Sequence, residues 1–277
     1  MNTFLQDQIN FYVEFKKWYF EIIRDFGFSY QQDCEARNYL SEMLNQKVGN
    51  WDLEKVLYSF SKTFQEKKII LIYGCGPSLE DTLDSLLREC GKEFFRNCIN
   101  LAADGASILL RERRIPTEAI FSDLDGITKA EFNYPEFLII HAHGDNLRKI
   151  SHFKEEIIKF PNIIGTTQVE PIDNIINPGG FTDGDRILYF IRALLQPHNM
   201  LYFIGMDFNE IIGRYSKPNL TQHHQGTPLK LKKLDYAVKL IEWLIEKISN
   251  EIFFLNSKIA SPRFKYLTIK EFAERLK

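Results

Sequence analysis

The chain has 277 residues of ordinary globular composition, 44% hydrophobic and 26% charged, and its net charge of −2 gives no electrostatic basis for binding nucleic acid or a membrane surface. Charged residues interrupt every hydrophobic stretch, including the N-terminal one, so neither a signal peptide nor a transmembrane span is predicted. The four cysteines show no CxxC spacing, which disfavours a zinc ribbon or a dithiol redox site and predicts free thiols in the cytoplasm.

Residues 1–66 are predicted to form an N-terminal helical subdomain. Apolar residues recur there at helical spacing, beginning with Phe11, Phe15 and Trp18. Neither a strand-like run nor a cluster of catalytic residue types occurs in this segment. We therefore expect it to have a structural role and place an α/β catalytic domain, ending in a helix, at residues 67–277.

After this segment, short apolar runs alternate with helical stretches. The alternation predicts βαβ units and an α/β fold with a mostly parallel sheet that carries helices on both faces. Strands are expected at Ile69–Tyr73, Ile99–Ala103, Ala119–Ser122, Phe137–His141, Asn162–Gly165, Met200–Ile204 and Ile252–Leu255, and helices at 79–90, 105–113, 145–159, 185–195 and 228–249. The stretch 209–227, broken by glycine and proline, is interpreted as a lid loop.

Ligands bind outside the carboxyl ends of the strands in parallel α/β sheets, and here those ends carry glycines and acids. The first end is a glycine-rich turn whose backbone N–H groups and helix N-terminus would favour a phosphate. Its candidate phosphate-binding residues are Gly74, Gly76, Pro77 and Ser78. The turn lacks the lysine of a Walker A loop, so a plain turn with Ser78 as helix cap remains an alternative.

The second strand end carries one acid, Asp104. Its carboxylate could cap the helix that follows, contact the ribose of a dinucleotide or belong to a carboxylate cluster.

The third and fourth strand ends carry further acids and two histidines. Asp123 and Asp125 follow an apolar run, where two carboxylates are costly unless a cation binds between them, and in an extended segment both would face a hard cation such as Mg²⁺. The alternative is a solvated turn. Asp145 would extend the carboxylate cluster, and His141 or His143 would contact an anion. A metal-binding pair of histidines and a satisfied core histidine remain alternatives.

The fifth strand end is a loop with two adjacent glycines. Gly179 and Gly180 would let the backbone approach a substrate closely, Phe181 would stack on a flat ring, and Arg186 would meet a phosphate. The remaining candidate substrate-binding residues of this loop are Thr182, Asp183 and Asp185. At the sixth strand end, residues 204–208 line a ring pocket or pack in the core.

Six short motifs, in order, resemble the archaeal 6-hydroxymethyl-7,8-dihydropterin pyrophosphokinase family, which is similar in fold to thiamine pyrophosphokinase. They are GCGPSL, ADGA, SDLDG, HAHGDN, GGFTDGDR and IGMDF. The resemblance implies Mg²⁺-dependent transfer of diphosphate from ATP to the pterin, which gives AMP and the pterin diphosphate for folate or methanopterin synthesis. It also implies Asp123 and Asp125 as Mg²⁺ ligands, with Asp104 and Asp145 in the same cluster. Asp145 or His143 would take the proton of the pterin hydroxyl.

Three other readings of the motifs stay open. Residues 120–126 also resemble the nucleophile strand of haloacid-dehalogenase-like phosphatases, although two strand–loop units precede them and Ile127 replaces the usual threonine. A nucleotide-sugar transferase would use Asp123 and Asp125 for its metal, and a regulatory module would bind a nucleotide without turnover. The expected partners are ATP and a small-molecule pterin, while thiamine or a sugar as acceptor and a homo-oligomeric state are left open.

Overall fold

The computed structural model describes residues 4–47 and 49–276. Nine strands form one parallel sheet in the order β11-β10-β7-β1-β2-β3-β4-β5-β6, and β8 and β9 form a separate antiparallel ribbon. The strands are β1 (Ile69–Tyr73), β2 (Cys98–Ala103), β3 (Ala119–Ser122), β4 (Phe137–Ala142), β5 (Ile163–Thr167), β6 (Ile175–Ile176), β7 (Met200–Ile204), β8 (Ile211–Ile212), β9 (His224–Gln225), β10 (Ile252–Leu255) and β11 (Lys265–Leu267).

Helices cover both faces of the sheet. They are α1 (Leu5–Ile9), α2 (Tyr12–Phe26), α3 (Tyr30–Leu44), α4 (Leu53–Glu66), α5 (Leu79–Cys90), α6 (Lys92–Arg96), α7 (Ala106–Arg113), α8 (Leu147–His152), α9 (Lys154–Lys159), α10 (Asp183–Ile191), α11 (Pro228–Ile245) and α12 (Ile269–Arg275). Short 3₁₀ helices lie at Lys129–Asn133, Gly144–Asn146 and Arg214–Ser216. Within the described ranges, none of these helices combines the length and apolar character needed to cross a membrane.

The predicted α/β fold with a parallel sheet is confirmed. All seven predicted strands are present in that sheet, and β2, β3 and β4 are buried along their whole length because helices cover both faces. The short strands β6 and β11 were not predicted, since two or three residues are too few to show a period. The ribbon of β8 and β9 lies inside the predicted lid loop.

One predicted helix is interrupted in the structure. The stretch 145–159 contains a 3₁₀ turn and the two short helices α8 and α9, which are separated at Phe153. Phe153 is buried, and its ring stacks on Phe132 with 5.2 Å between the ring centroids. This packing accompanies the break that periodicity alone does not predict.

The N-terminal helices pack directly on the sheet. Side chains of α2 and α4 belong to the hydrophobic core on one face, and side chains of α3 belong to the core on the other. Phe60 of α4 is fully buried, with its ring centroid 4.9 Å from that of Phe137 and 6.0 Å from that of Phe190. The proposed domain boundary at residue 66 stays a prediction, but the helices before it share both cores with the strands after it.

We expect Phe60→Ala to lower the free energy of unfolding by about 3–5 kcal/mol, because it leaves a cavity between α4 and the sheet. Denaturant unfolding monitored by circular dichroism measures this loss. Tyr58→Ala on the same helix is the matched control, since the Tyr58 side chain is 56% exposed and its loss should cost much less. Equal losses for the two variants would show that α4 does not depend on this packing.

Candidate active site

One cleft collects the carboxyl ends of the central strands. Because the nine strands are parallel, the loops after β1, β2, β3, β4 and β7 all leave the same edge of the sheet. These loops, the start of α10, the start of α11 and residues 27–33 border a cavity of about 260 Å³. The strand-end motifs found in the sequence therefore meet at a common site.

Three carboxylates form an acidic triad at this cleft: Asp104 and Asp123 line the cavity, and Asp125 lies beside them. Each offers an oxygen within 4.8 Å of the others, and no other group of three metal-ligating residues meets this criterion among residues 4–47 and 49–276. Asp104 Oδ1 accepts hydrogen bonds from Ser122 Oγ at 2.7 Å and from the Gly126 N–H at 3.1 Å. The turn after β3 thus folds over Asp104 and fixes the triad.

Glycine is required where this turn crosses Asp104. A Cβ atom added to Gly126 would lie 1.8 Å from Asp104 Oδ2, a distance that no rotamer relieves without moving the buried carboxylate. Leu124 adopts a positive φ of 72° in the same turn, and its N–H donates to Ser122 Oγ at 2.8 Å. The close approach to Asp104 explains the glycine that follows Asp125.

The triad holds more negative charge than its surroundings neutralise. Burial, followed by the charges of Asp123 and Asp125, raises the pKa of Asp104 to about 8. Burial and the Asp123 charge also raise the pKa of Asp125. Burial opposes ionisation of Asp123 too, but its hydrogen bond to His143 and the charges of His143 and Lys217 outweigh burial and lower the pKa. Such a site favours a bound cation.

Lys217 provides one positive charge from the predicted lid loop, where its ammonium group forms an ion pair with Asp125. The loop is fastened to the domain beside it, because Arg214 pairs with Glu80 at 2.7 Å. Lys217 was not among the sequence-predicted site residues. It is the single lysine in the stretch 209–227, and nothing in the local sequence distinguishes it as a site residue.

His143 lies beside the triad with a defined orientation. Its Nδ1 accepts the Asp145 N–H at 3.3 Å, so a neutral ring carries its hydrogen on Nε2, which faces Asp123 Oδ2 at 3.4 Å. Asn146 donates to the carbonyl groups of Asp123 and His141 and holds this turn in place. Asp145 is exposed and lies outside the triad, since the 3₁₀ turn directs Asn146 inward instead. The sequence did not indicate Asn146.

The glycine-rich turn after β1 borders the cleft, but its N–H groups are engaged within the protein. The N–H groups of Gly74 and Gly76 donate to backbone carbonyls next to β7, at 2.8 and 2.7 Å. The Ser78 N–H donates to Asp207 Oδ2 at 2.9 Å, so a buried carboxylate occupies the start of α5. The predicted phosphate contact through these donors is therefore not available in this arrangement, and Pro77 has no N–H to offer.

The loop before α10 divides into residues that shape it and residues that face the cleft. Gly179 and Gly180 have φ values of 85° and 86° and do not line the cavity, so the backbone conformation explains both glycines. Asp185 is fully buried and accepts the N–H groups of Phe181 and Thr182, both at 2.7 Å. The residues of this loop that line the cleft are Phe181, Thr182, Asp183, Gly184 and Arg186.

An aromatic and cationic wall stands beside Phe181. Phe28 approaches from the N-terminal segment, and the Lys233 ammonium group lies 5.3 Å from the Phe28 ring centroid and 5.8 Å from the Phe181 ring centroid. Lys230, one turn earlier on α11, also lines the cleft. Phe28 and Lys230 were missed because an aromatic residue before a helix and a lysine on a helix usually have no binding role.

Asp33 connects the N-terminal helices to the site. Its carboxylate is 3% exposed and accepts hydrogen bonds from the Tyr19 hydroxyl at 2.7 Å, the Gly144 N–H at 2.8 Å and Gln168 Nε2 at 2.7 Å. This one side chain therefore fixes α2, α3, the turn after β4 and the turn after β5. In the sequence it is an ordinary acid in the first turn of a helix, and nothing there indicates the buried network.

The model of the 6-hydroxymethylpterin diphosphokinase MptE-like family matches residues 43–213 of the chain. Three similar proteins are named 6-hydroxymethyl-7,8-dihydropterin pyrophosphokinase. The protein from Pyrococcus furiosus is 34% identical over 83% of this chain and 93% of its own length. The proteins from Methanocaldococcus jannaschii and Methanothermobacter thermautotrophicus are 35% and 34% identical, over 88% and 82% of this chain and 100% and 92% of their own lengths.

We expect Asp104→Asn to change how stability depends on pH in buffer free of divalent cations. The native pKa of Asp104 is raised from 3.8 to about 8, so the folded state holds this proton more tightly and stability falls as pH rises between those values. The slope from this one group is at most about 1.4 kcal/mol per pH unit. The Asp104→Asn variant lacks the titrating carboxyl and therefore loses its contribution to this slope. The asparagine side chain retains an oxygen that accepts the hydrogen bonds from Ser122 and Gly126.

Melting temperatures between pH 5 and pH 8 measure this effect, with Asp145→Asn as the control for an exposed acid nearby. The lowered pKa of Asp123 makes stability depend on pH only at pH values below about 3.8, the ordinary pKa of this group. It therefore does not change the profile between pH 5 and pH 8. Parallel pH profiles for Asp104→Asn and the unaltered protein would contradict the strained triad.

Proposed function

The chain belongs to the MptE-like 6-hydroxymethylpterin diphosphokinase family, and on that premise we propose that it transfers diphosphate from ATP to 6-hydroxymethyl-7,8-dihydropterin. The products are AMP and the pterin diphosphate, a precursor for folate or methanopterin synthesis. The observation that carries this proposal is the acidic triad, which borders one cleft together with an aromatic wall, Lys230 and Lys233, and which Lys217 contacts through its ion pair with Asp125. Such a cleft suits a flat acceptor and a polyphosphate donor together.

Asp104, Asp123 and Asp125 are the proposed Mg²⁺ ligands. Carboxylate oxygens are what this hard cation prefers, and the raised pKa values of Asp104 and Asp125 indicate a deficit of positive charge where the three meet. When bound, Mg²⁺ supplies the charge that neutralises phosphate oxygens during transfer. Asp145 was predicted as a fourth ligand, but its exposed position at the rim of the cleft fits a different role.

The lysines are the proposed phosphate contacts of the protein itself. Lys217 pairs with Asp125 of the triad. Burial, followed by the charge of Lys230, lowers the pKa of Lys233, and the charges of Asp145 and Asp123 oppose this shift. Arg186 was predicted for this role, but its two terminal nitrogens donate to the carbonyls of Gly179 and Phe181, at 3.3 and 3.1 Å. These two nitrogens are therefore not free for the bidentate hydrogen bonds through which arginine usually binds a phosphate.

Asp145 is the proposed acceptor for the proton of the pterin hydroxyl. Its carboxylate is exposed, borders the cleft and is not part of the triad. His143 was the other candidate, but its Nε2 hydrogen faces Asp123, so the ring serves to hold that carboxylate in place. The hydroxyl oxygen then attacks the middle phosphorus of ATP, and AMP leaves.

The four cysteines are free thiols, and three of them are half-buried. Free thiols persist in a reducing compartment, which supports a cytoplasmic location as part of this proposal.

We expect the unaltered protein to form AMP and pterin diphosphate in equal amounts from ATP and the dihydropterin, and only when Mg²⁺ is present. Asp123→Asn and Asp125→Asn should reduce the rate at least a hundredfold, because each removes a ligand of the proposed metal. Nucleotide products separated by anion-exchange chromatography report the reaction, and circular dichroism checks the fold. ADP or free phosphate as the product would contradict diphosphate transfer and favour a kinase or a phosphatase.

We expect Lys217→Gln to lower kcat/KM for Mg-ATP roughly tenfold or more, since it removes a positive charge next to the transferred phosphates. Steady-state kinetics at saturating pterin measure the change. Lys239→Gln is the control, because Lys239 also pairs with an aspartate, Asp235, at 2.7 Å, but that aspartate is not part of the triad. An unchanged kcat/KM for Mg-ATP in both variants would show that Lys217 does not contribute to phosphate binding.

A further inference from the structure

Two buried polar atoms at the floor of the cleft have no hydrogen-bond partner. They are Nε2 of His141 and Nε of Arg186, and their residues are 3% and 2% exposed. Both residues line the cavity. Buried polar atoms in proteins are nearly always paired, so two such exceptions in one cleft indicate a ligand that supplies the partners.

The two atoms offer opposite hydrogen-bonding roles. The Thr166 hydroxyl donates to the Ile140 carbonyl at 3.1 Å, so its oxygen accepts the Nδ1 hydrogen of His141 at 3.2 Å. A neutral imidazole with its hydrogen on Nδ1 has a lone pair on Nε2, which is therefore an acceptor. Arg186 Nε carries a hydrogen and is a donor. The floor thus presents one acceptor and one donor.

Neighbouring polar groups leave this pair as the open contact. Asp33 and Gln168 line the same cavity; Gln168 Nε2 donates to the Asp33 carboxylate, and the Gln168 side chain also lies beside the His141 ring. Phe181 lines the same cavity and offers a flat apolar ring, and its carbonyl accepts a hydrogen bond from Arg186. The residues that line the cavity therefore supply an aromatic face as well as one donor and one acceptor.

We propose that His141 and Arg186 form a lactam subsite, which binds the N–H and C=O edge of a flat heteroaromatic ring. His141 Nε2 accepts the ring N–H, and Arg186 Nε donates to the ring carbonyl oxygen. Each atom that lacks a partner gains one, and neither needs to move a proton. This inference rests on the proposed function, for which the ring is the pterin and the edge consists of N3–H and the 4-oxo group.

The subsite also orients the acceptor for the reaction. The hydroxymethyl group of the pterin is attached to the ring opposite the one that carries N3, so an anchored lactam edge leaves the hydroxyl at the far end of the ligand. The His141 ring centroid lies 5.7 Å from that of His143, and His143 in turn contacts Asp123. His141 and His143 thus connect the proposed subsite with the acidic triad.

Fluorescence titration with 6-hydroxymethylpterin, without nucleotide, tests the subsite independently of turnover. We expect His141→Leu to raise the Kd of this probe about tenfold, because it removes one buried hydrogen bond at nearly constant volume. The KM for ATP should stay close to that of the unaltered protein, and circular dichroism checks the fold, since the variant also loses the hydrogen bond from His141 Nδ1 to Thr166. His152→Leu is the matched control, since His152 is exposed and does not line the cleft.

The 3-methyl derivative of the probe, which lacks the N3–H, tests the same contact from the ligand side. We expect it to bind the unaltered protein about tenfold more weakly than the probe, and to bind His141→Leu no more weakly than the probe does. Normal probe affinity in a folded His141→Leu variant would overturn the subsite, as would full affinity of the unaltered protein for the methylated probe.

These results separate the subsite from the proposed function. If the unaltered protein makes the pterin diphosphate but probe binding is independent of His141, the function stands and the subsite is wrong. If it makes no pterin diphosphate, hypoxanthine and its 1-methyl derivative replace the probe pair in the same titration. A preference for the unmethylated ring that depends on His141 would then support the subsite alone, and its absence would overturn it.

Discussion

Mutual repulsion among three carboxylates is the constraint on which the architecture of the site depends. A parallel sheet brings its strand ends to one edge, and here β2 and β3 end in Asp104, Asp123 and Asp125. Several features hold these charges together: Gly126 passes over Asp104, His143 faces Asp123, and an ion pair reaches Asp125 from the lid. The place where these like charges are held together is therefore also a place suited to bind a divalent cation.

The second organising feature is the contact between the N-terminal helices and the strand ends. Asp33 accepts three hydrogen bonds, and one of them comes from Gly144, directly after His143. Phe28, which precedes α3, forms part of the aromatic wall. The helices that precede the sheet thus contribute to the shape of the cleft as well as to both cores. This arrangement explains how a segment without a catalytic motif can still affect the chemistry.

The sheet and the acidic cluster were predictable from the sequence because both depend on local patterns. Unbroken apolar runs mark buried parallel strands, and the acids follow those runs immediately. The remaining parts depend on contacts between distant segments. The contact of Asp207 with Ser78 joins residues 129 positions apart, and the contact of Asp33 with Gln168 joins residues 135 apart. A glycine-rich turn looks the same in sequence whether its N–H groups are free or engaged, so only the fold distinguishes a phosphate loop from the wall of a cleft.

The strand order also determines how the molecule assembles. Strands β1 to β6 lie side by side in the order of the sequence, so each strand pairs with the one that precedes it in the chain. Strand β7 must instead return to the opposite side of β1, which closes a loop of more than a hundred residues. Contacts over such sequence distances form slowly. The same pairing brings Asp207 to Ser78, and we therefore expect this wall of the cleft to form after the acids of the triad lie beside one another.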